Sequence, residues 1–194
     1  SPELVKAVHA DYFKAGADIA TTNTYAIHHD RLEPYNFGDK FAELHHQACQ
    51  LAVQARDEHG KGLVAGSLGP LGWSYRPELA FPLDEATQRY AEIATLQKPY
   101  VDFFLCETMS SLLQAQAAVI GAKTAGKPVW LSVSVKDDLG SELRSGEKVS
   151  DVITLAKDLG VDTVLVNCST PEAVSQALPH LVHQGLKIGA YANG

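Results

Sequence analysis

Three stretches of this chain follow one plan. Residues 17–24 (ADIATTNT), 101–108 (VDFFLCET) and 161–168 (VDTVLVNC) each come after a helix-like segment, open on an Asp, run through mostly apolar residues and end on groups able to do chemistry. A parallel α/β protein arms the C-terminal ends of its strands in this way, and its ligands bind at those ends. Asn23, Glu107, Asn167 and Cys168 are therefore candidate site residues. In any single copy, turn-forming polar residues capping a buried strand would look the same. Three copies together favour a site.

The segments between these strands read as helices. Leu4, Val8 and Tyr12 recur with helical spacing over 2–15, with Ser1 as cap, Pro2 in the first turn and Gly16 as the stop. The spacing predicts further helices over 39–59, 84–98 (capped by Asp84), 110–125, 149–159 and 171–184, and further strands over 63–67, 128–135 and 187–191. Between them, residues 66–82 form a long loop rich in Gly, Pro and aromatics, a kind of loop that is often functional.

Six strands alternating with helices make an α/β fold with a parallel sheet. No Gly-x-Gly-x-x-Gly follows the first strand, and the polar strand ends are spread over the whole chain. Both points favour a closed (β/α)8 TIM barrel over an open doubly wound sheet. Eight strand–helix units typically need about 250 residues, and this chain has 194. The expectation is a single barrel domain over 1–194 with about six of eight strands, lacking the first strand and the C-terminal eighth. A barrel cut open would leave unpaired edges, so further residues are expected in the working protein.

Composition removes several function classes. The net charge of −7 argues against a nucleic-acid or anionic-membrane partner, since either would demand a basic face. No apolar run approaches the roughly 20 residues of a membrane span. Three scattered cysteines, Cys49, Cys106 and Cys168, suit a reducing cytoplasm better than a disulfide scaffold. Nothing in the sequence fixes the oligomeric state.

Cys168 is the sharpest chemical candidate, because it ends a strand and precedes Ser169-Thr170-Pro171, where a helix begins. A thiolate there would serve as a nucleophile or a zinc ligand, while a small buried hydrophobe is the bland reading. Glu107 suits a substrate ammonium or a base, or a cap for the helix starting near Ser110. Strand alternation sends Cys106 to the face opposite Glu107, which makes it a packing residue. Lys136 invites a Schiff-base reading, but Asp137 and Asp138 beside it would keep its pKa high, the wrong direction for a nucleophilic amine. His45 and His46 read as a solvated helix face, and His28 and His29 as a loop pair.

The run from Pro2 through His9, Tyr12 and 15–18 to Thr22-Asn23-Thr24-Tyr25 resembles the approach to the second barrel strand in the homocysteine S-methyltransferase family. Gly66-Ser67-Leu68-Gly69-Pro70, Glu107-Thr108, Ser132-Val133-Ser134-Val135 with Gly146-Glu147, Val166-Asn167-Cys168 and the final Tyr191-Ala192-Asn193-Gly194 match later landmarks of that family in order. Each motif is weak alone, but the ordered set is specific and covers essentially the whole chain.

The resemblance implies zinc held by three cysteine thiolates. One ends the sixth barrel strand, matched here by Cys168. The other two are adjacent, in a Gly-Gly-Cys-Cys segment at the eighth strand, and are expected outside these residues. It implies a small-molecule thiol, homocysteine, and a methyl donor as partners, with Cys168 as catalytic residue and metal ligand. Glu107 would receive the homocysteine ammonium. Ser67 and Gly69 would line the amino-acid pocket, with Asn23 and Asn167 as supporting donors. Family members use S-methylmethionine, S-adenosylmethionine or betaine as donor, and others take the methyl from folate through a corrinoid domain; with no second domain in these residues, the folate route is the less expected one unless such a domain was cut away. Trp73, Tyr75 and Phe81 would form an aromatic wall for a cationic donor, or pack the loop. A non-catalytic amino-acid-binding barrel and an aldolase-type lyase using Lys136 are the alternative functions.

Overall fold

A computed structural model describes residues 1–193. The elements run α1 (Pro2–Lys14), β1 (Ile19–Thr21), α2 (His29–Leu32), α3 (Phe41–His59), β2 (Leu63–Leu68), α4 (Leu83–Gln97), β3 (Phe103–Met109), α5 (Leu112–Lys123), β4 (Val129–Val133), α6 (Val149–Asp158), β5 (Thr163–Asn167), α7 (Pro171–Ala177) and β6 (Lys187–Tyr191). All six strands pair in parallel, and the sheet order is strictly β1-β2-β3-β4-β5-β6. With no reversal of strand order there is no switch point, and right-handed crossovers then place the helices that connect successive strands on one face. The sheet curls into six strands' worth of a barrel, as expected from the sequence.

The two faces of the sheet separate into two cores. On the helix side, Val64, Phe104, Cys106, Leu131, Val164 and Val166 are fully buried against α3, α4, α5 and α6. On the inner side, Ala65, Phe103 and Leu105 pack with Ile19, Trp130 and Leu165. Cys106 faces the helices, as strand alternation requires, and its thiol is sealed off. The inner face borders a cavity of about 650 Å³ that also touches Glu107, Tyr191, Thr21 and the α1 residues Val8, His9 and Tyr12. None of the helices among the described residues is long and apolar enough to cross a membrane.

Several local expectations shift for identifiable reasons. The first strand is only three residues long because the Thr22 and Thr24 side chains replace the ladder: Thr22 Oγ1 accepts the Ser67 amide at 2.9 Å and Thr24 Oγ1 donates to the Ser67 carbonyl at 2.8 Å. Helix α4 begins at Leu83, so Asp84 lies in its first turn near the positive end of the helix dipole and is not the cap. Helix α7 stops at Ala177 and tightens into a 3-10 turn over Leu178–His180, because Pro179 has no N–H to continue the ladder.

His45 is fully buried, a correction to its reading as part of a solvated face. Its Nε2 lies 3.0 Å from the Ile27 carbonyl and its ring meets Phe41 edge-on. The long loop after β2 is fixed from both sides. Asp30 accepts the Gly72 amide at 2.9 Å, and Arg31 donates to the carbonyls of Pro70 and Gly72 at 2.9 and 3.0 Å. From α4, the buried Tyr90 hydroxyl donates to Gly69 O at 3.0 Å and accepts from Leu71 N at 3.1 Å.

Candidate active site

The C-terminal ends of β3 and β5 meet around one amide side chain. Asn167, fully buried at the end of β5, accepts the Thr108 amide (3.0 Å) and the Ser132 hydroxyl (2.7 Å) through Oδ1. Its Nδ2 donates to Thr108 Oγ1 (2.8 Å) and to Cys168 Sγ (3.2 Å). The Thr108 hydroxyl also donates to Cys168 Sγ at 3.3 Å. The Asn167 side chain thus has no hydrogen-bonding capacity left for a ligand, and its geometry is that of a strut joining β3, β4 and β5.

Cys168 is half-buried, unlike Cys49 and Cys106. Burial pushes the Cys49 thiol up to about 12 and raises Cys106 further, which keeps both in the inert thiol form. Cys168 takes its polar contacts from the Asn167 and Thr108 side chains and not from the helix that follows, which has only seven residues and is capped by its own Thr170 side chain. Among the described residues, five non-glycine residues adopt positive φ, and three of them gather here: Tyr75 (64°), Thr108 (64°) and Cys168 (51°). A β-branched residue such as Thr108 in that region is strained, and such strain concentrates at functional sites. At Thr108 the β3–β4 register also shifts, between Cys106 and Met109.

Glu107 points to the opposite side of β3 from Cys106, into the inner cavity. Ser67 Oγ donates to its Oε1 at 2.5 Å and Tyr191 OH to its Oε2 at 2.9 Å. Burial pushes the Glu107 carboxyl above its ordinary range, and these two donors pull it part of the way back. The carboxylate is thus preorganised and desolvated, and a cationic group entering the cavity would gain from both.

Two other expected pocket residues stand elsewhere. Asn23 is exposed and borders a separate depression formed with Tyr25, Ile27, Leu44 and the start of α1, because Thr22 and Thr24 take the buried positions on either side of it. Gly69 lines neither cavity. A Cβ at Gly69 would lie 2.5 Å from the Tyr25 carbonyl oxygen and 2.8 Å from its ring, so this glycine permits a close backbone approach. Gly69→Ala is expected to lower stability by roughly 2 kcal/mol through overpacking. Unchanged thermal unfolding with weakened ligand binding would return Gly69 to the pocket.

Lys136 is paired with Glu142 at 2.6 Å, and that hydrogen bond raises its pKa. The Schiff-base alternative therefore lacks a nucleophilic amine. Of the loop aromatics, Phe81 lies under Arg89 at 4.3 Å, and Trp73 is exposed near Arg31 at 6.0 Å. Only Tyr75 comes within reach of Cys168. The wall of three aromatics does not form.

Thr108, Ser132 and Tyr191, which the sequence offered only as parts of family landmarks, and Arg144, which it did not offer, also belong to the site. For Thr108 and Tyr191 the signal was available, since Thr108 is the last residue but one of β3 and Tyr191 ends β6, both at the barrel mouth. Arg144 carried none: it sits in a polar loop and reaches Cys168, 24 positions away, through its backbone carbonyl.

Comparison with known proteins places this geometry in a family. The chain is 31% identical to methionine synthase of Mycobacterium tuberculosis over 93% of its length, spanning 16% of that protein. It is 30% identical to homocysteine S-methyltransferase YbgG of Bacillus subtilis over 94% of its length, spanning 62% of that protein. The chain thus spans about a sixth to under two thirds of these relatives. In fold it is similar to the metallated form of the homocysteine methyltransferase MmuM from Escherichia coli, with a TM-score of 0.84, 22% identity and coverage of 99% of this chain and 80% of that one. The model of the homocysteine S-methyltransferase family matches residues 1–194, and the chain belongs to that family.

Proposed function

We propose that this chain carries the greater part of a cytoplasmic enzyme that transfers a methyl group to the thiol of homocysteine, giving methionine. The observation that carries the reading is the pairing, at one barrel mouth, of a half-exposed thiol held by two side-chain donors with a desolvated carboxylate. In the proposed reaction the substrate thiol loses its proton, and its sulfur forms a bond to a methyl carbon. The bond from that carbon to a sulfonium sulfur or quaternary nitrogen breaks, and the electron pair leaves with the donor. S-Methylmethionine, S-adenosylmethionine and betaine all meet this requirement.

Glu107 binds the homocysteine ammonium and fixes the reach of its side chain, with Ser67 and Tyr191 holding the carboxylate in place. Cys168 suits one position of a zinc site, being accessible and already oriented. Among the described residues no three His, Cys, Asp or Glu side chains cluster, so the remaining ligands would come from outside residues 1–193. Zinc bound there would supply the Lewis acid that keeps a substrate thiol deprotonated near neutral pH.

The same reading places further strands against β1 and β6. Among the described residues both edges are unpaired, and α1 exposes an apolar stripe of Leu4, Val8 and Tyr12 beside the open inner face.

The full-length protein is expected to hold about one zinc per chain and to lose it in Cys168→Ala. Glu107→Gln is expected to raise KM for homocysteine at least tenfold while leaving zinc content unchanged. Wild-type protein without zinc would overturn the mechanism. Unchanged KM in Glu107→Gln would remove Glu107 from the substrate site.

A further inference from the structure

Cys168 leaves β5 with φ at 51°, a region that costs a non-glycine residue free energy unless its surroundings impose it. Its carbonyl oxygen accepts two hydrogen bonds, from Ser134 Oγ and from Arg144 Nη2, both at 3.1 Å. The remaining nitrogens of Arg144 are also committed: Nε donates to Ser134 Oγ at 2.8 Å and Nη1 to Asp137 Oδ2 at 3.1 Å. Asp137 in turn accepts the Thr170 amide at 2.9 Å through its other oxygen. One arginine, its side chain 16% exposed, thus ties the β4–α6 loop to the peptide on both sides of Ser169. On its face lies the Tyr75 ring, 4.3 Å from the guanidinium carbon, carried by the loop after β2.

We propose that Arg144 is a positioning residue for Cys168. Its planar fork holds the left-handed peptide after β5, and that backbone geometry directs the Cys168 sulfur to Thr108 and Asn167. Its stacking on Tyr75 joins the β2–α4 loop to the same peptide, so the loop covering the mouth and the thiol are set together. A lysine here would offer a point charge able to satisfy one acceptor at a time, without the planar face. The geometric part stands without any enzymatic reading. The consequence for zinc rests on the function proposed above.

Cysteine-selective 15N and 13C labelling tests it, with the Cys168 signal assigned by Cys168→Ser and with Cys49 and Cys106 reporting on the core. The coupling between the amide and α protons of Cys168 reads its φ. In Arg144→Ala the Cys168 coupling and carbon shifts are expected to move from left-handed to extended values while the Cys49 and Cys106 signals stay in place. Arg144→Lys is expected to fall between. Retention of left-handed values in Arg144→Ala would overturn the proposal. Should that variant fail to fold, Ser134→Ala and Arg144→Lys decide it, and left-handed values in both overturn it. In zinc-loaded full-length protein, Arg144→Ala is expected to release the metal to a chelator at least tenfold faster, in line with the effect of removing groups that orient a ligand. Release at the wild-type rate would overturn the link to the metal. A wild-type protein that binds no zinc would instead count against the proposed function and leave the labelling experiment to judge Arg144.

Discussion

Asn167→Ala is expected to lower the unfolding free energy by about 3 to 4 kcal/mol in a urea titration, since it strips partners from several buried groups at once. The Thr108 amide and the Ser132 hydroxyl lose their acceptor, and the Thr108 hydroxyl and Cys168 sulfur lose a donor. Thr108, at φ 64°, also loses the bonds that hold it in a strained conformation. Asn167→Asp keeps the acceptor oxygen but buries a carboxylate where an amide had donated, so it is expected to be as harmful near neutral pH. Asn23→Ala provides the contrast. That side chain is exposed, and its loss is expected to change stability by less than about 0.5 kcal/mol. A loss below about 1 kcal/mol in Asn167→Ala would mean that solvent reaches the strand ends and replaces the amide.

The contrast between these two asparagines shows how far the sequence could be read. Both end a strand-like segment of similar composition, and both entered as site candidates on that ground. Asn167 lies on the last residue of a regular strand, where alternation and burial hold, so its placement at the mouth followed from the pattern. Asn23 lies two residues past the point where β1 leaves the ladder. There the hydroxyls of Thr22 and Thr24 take over the pairing and continue the covered positions of Ala20, while Asn23, left exposed, borders the depression beside α1 and α3 and not the inner cavity that Thr21 touches. Periodicity gives the face of a side chain only while the backbone stays regular.

The same limit accounts for Arg144, Tyr75 and Gly69. Their roles depend on loop conformation and on contacts between distant segments, and hydrophobic spacing carries no information about either. The barrel architecture was legible because it rests on the alternation of strands and helices, which six repeats make redundant. Glu107 and Cys106 were legible for a related reason. In a strand of seven residues, parity alone decides which of two neighbours meets the cavity and which meets the helices.

Acidification from about pH 7 to about pH 5 is expected to lower the unfolding free energy by about 4 kcal/mol through His28 and His45. His28 is 1% exposed with neither ring nitrogen hydrogen-bonded, and burial, assisted by the charge of Arg31 and by His45, brings its pKa to about 3. The Tyr25 backbone acts in the opposite sense without making a hydrogen bond of normal geometry to either nitrogen. Burial takes His45 to about 4, against the pull of the Ile27 carbonyl, with His46 and His29 adding to the depression. In the unfolded chain each titrates at about 6.5. Between these values the unfolded state binds more protons than the folded one, so stability is complete above about 6.5 and is lost as pH falls, by about 1.4 kcal/mol per unit for each histidine. Glu107 acts in the other direction. Its raised carboxyl contributes most below the ordinary carboxylate range, and that contribution is lost as pH rises through its folded pKa. The net slope therefore identifies the histidines only by substitution. His28→Leu leaves no buried donor or acceptor unsatisfied at that position, because the imidazole had no partner to abandon. It is expected to match the wild type near pH 7 and to remove about half of the acid loss, with His45→Gln removing most of the rest. An unchanged difference between the two pH values in the double variant would place the acid sensitivity in the carboxylates and show that water enters the histidine cluster.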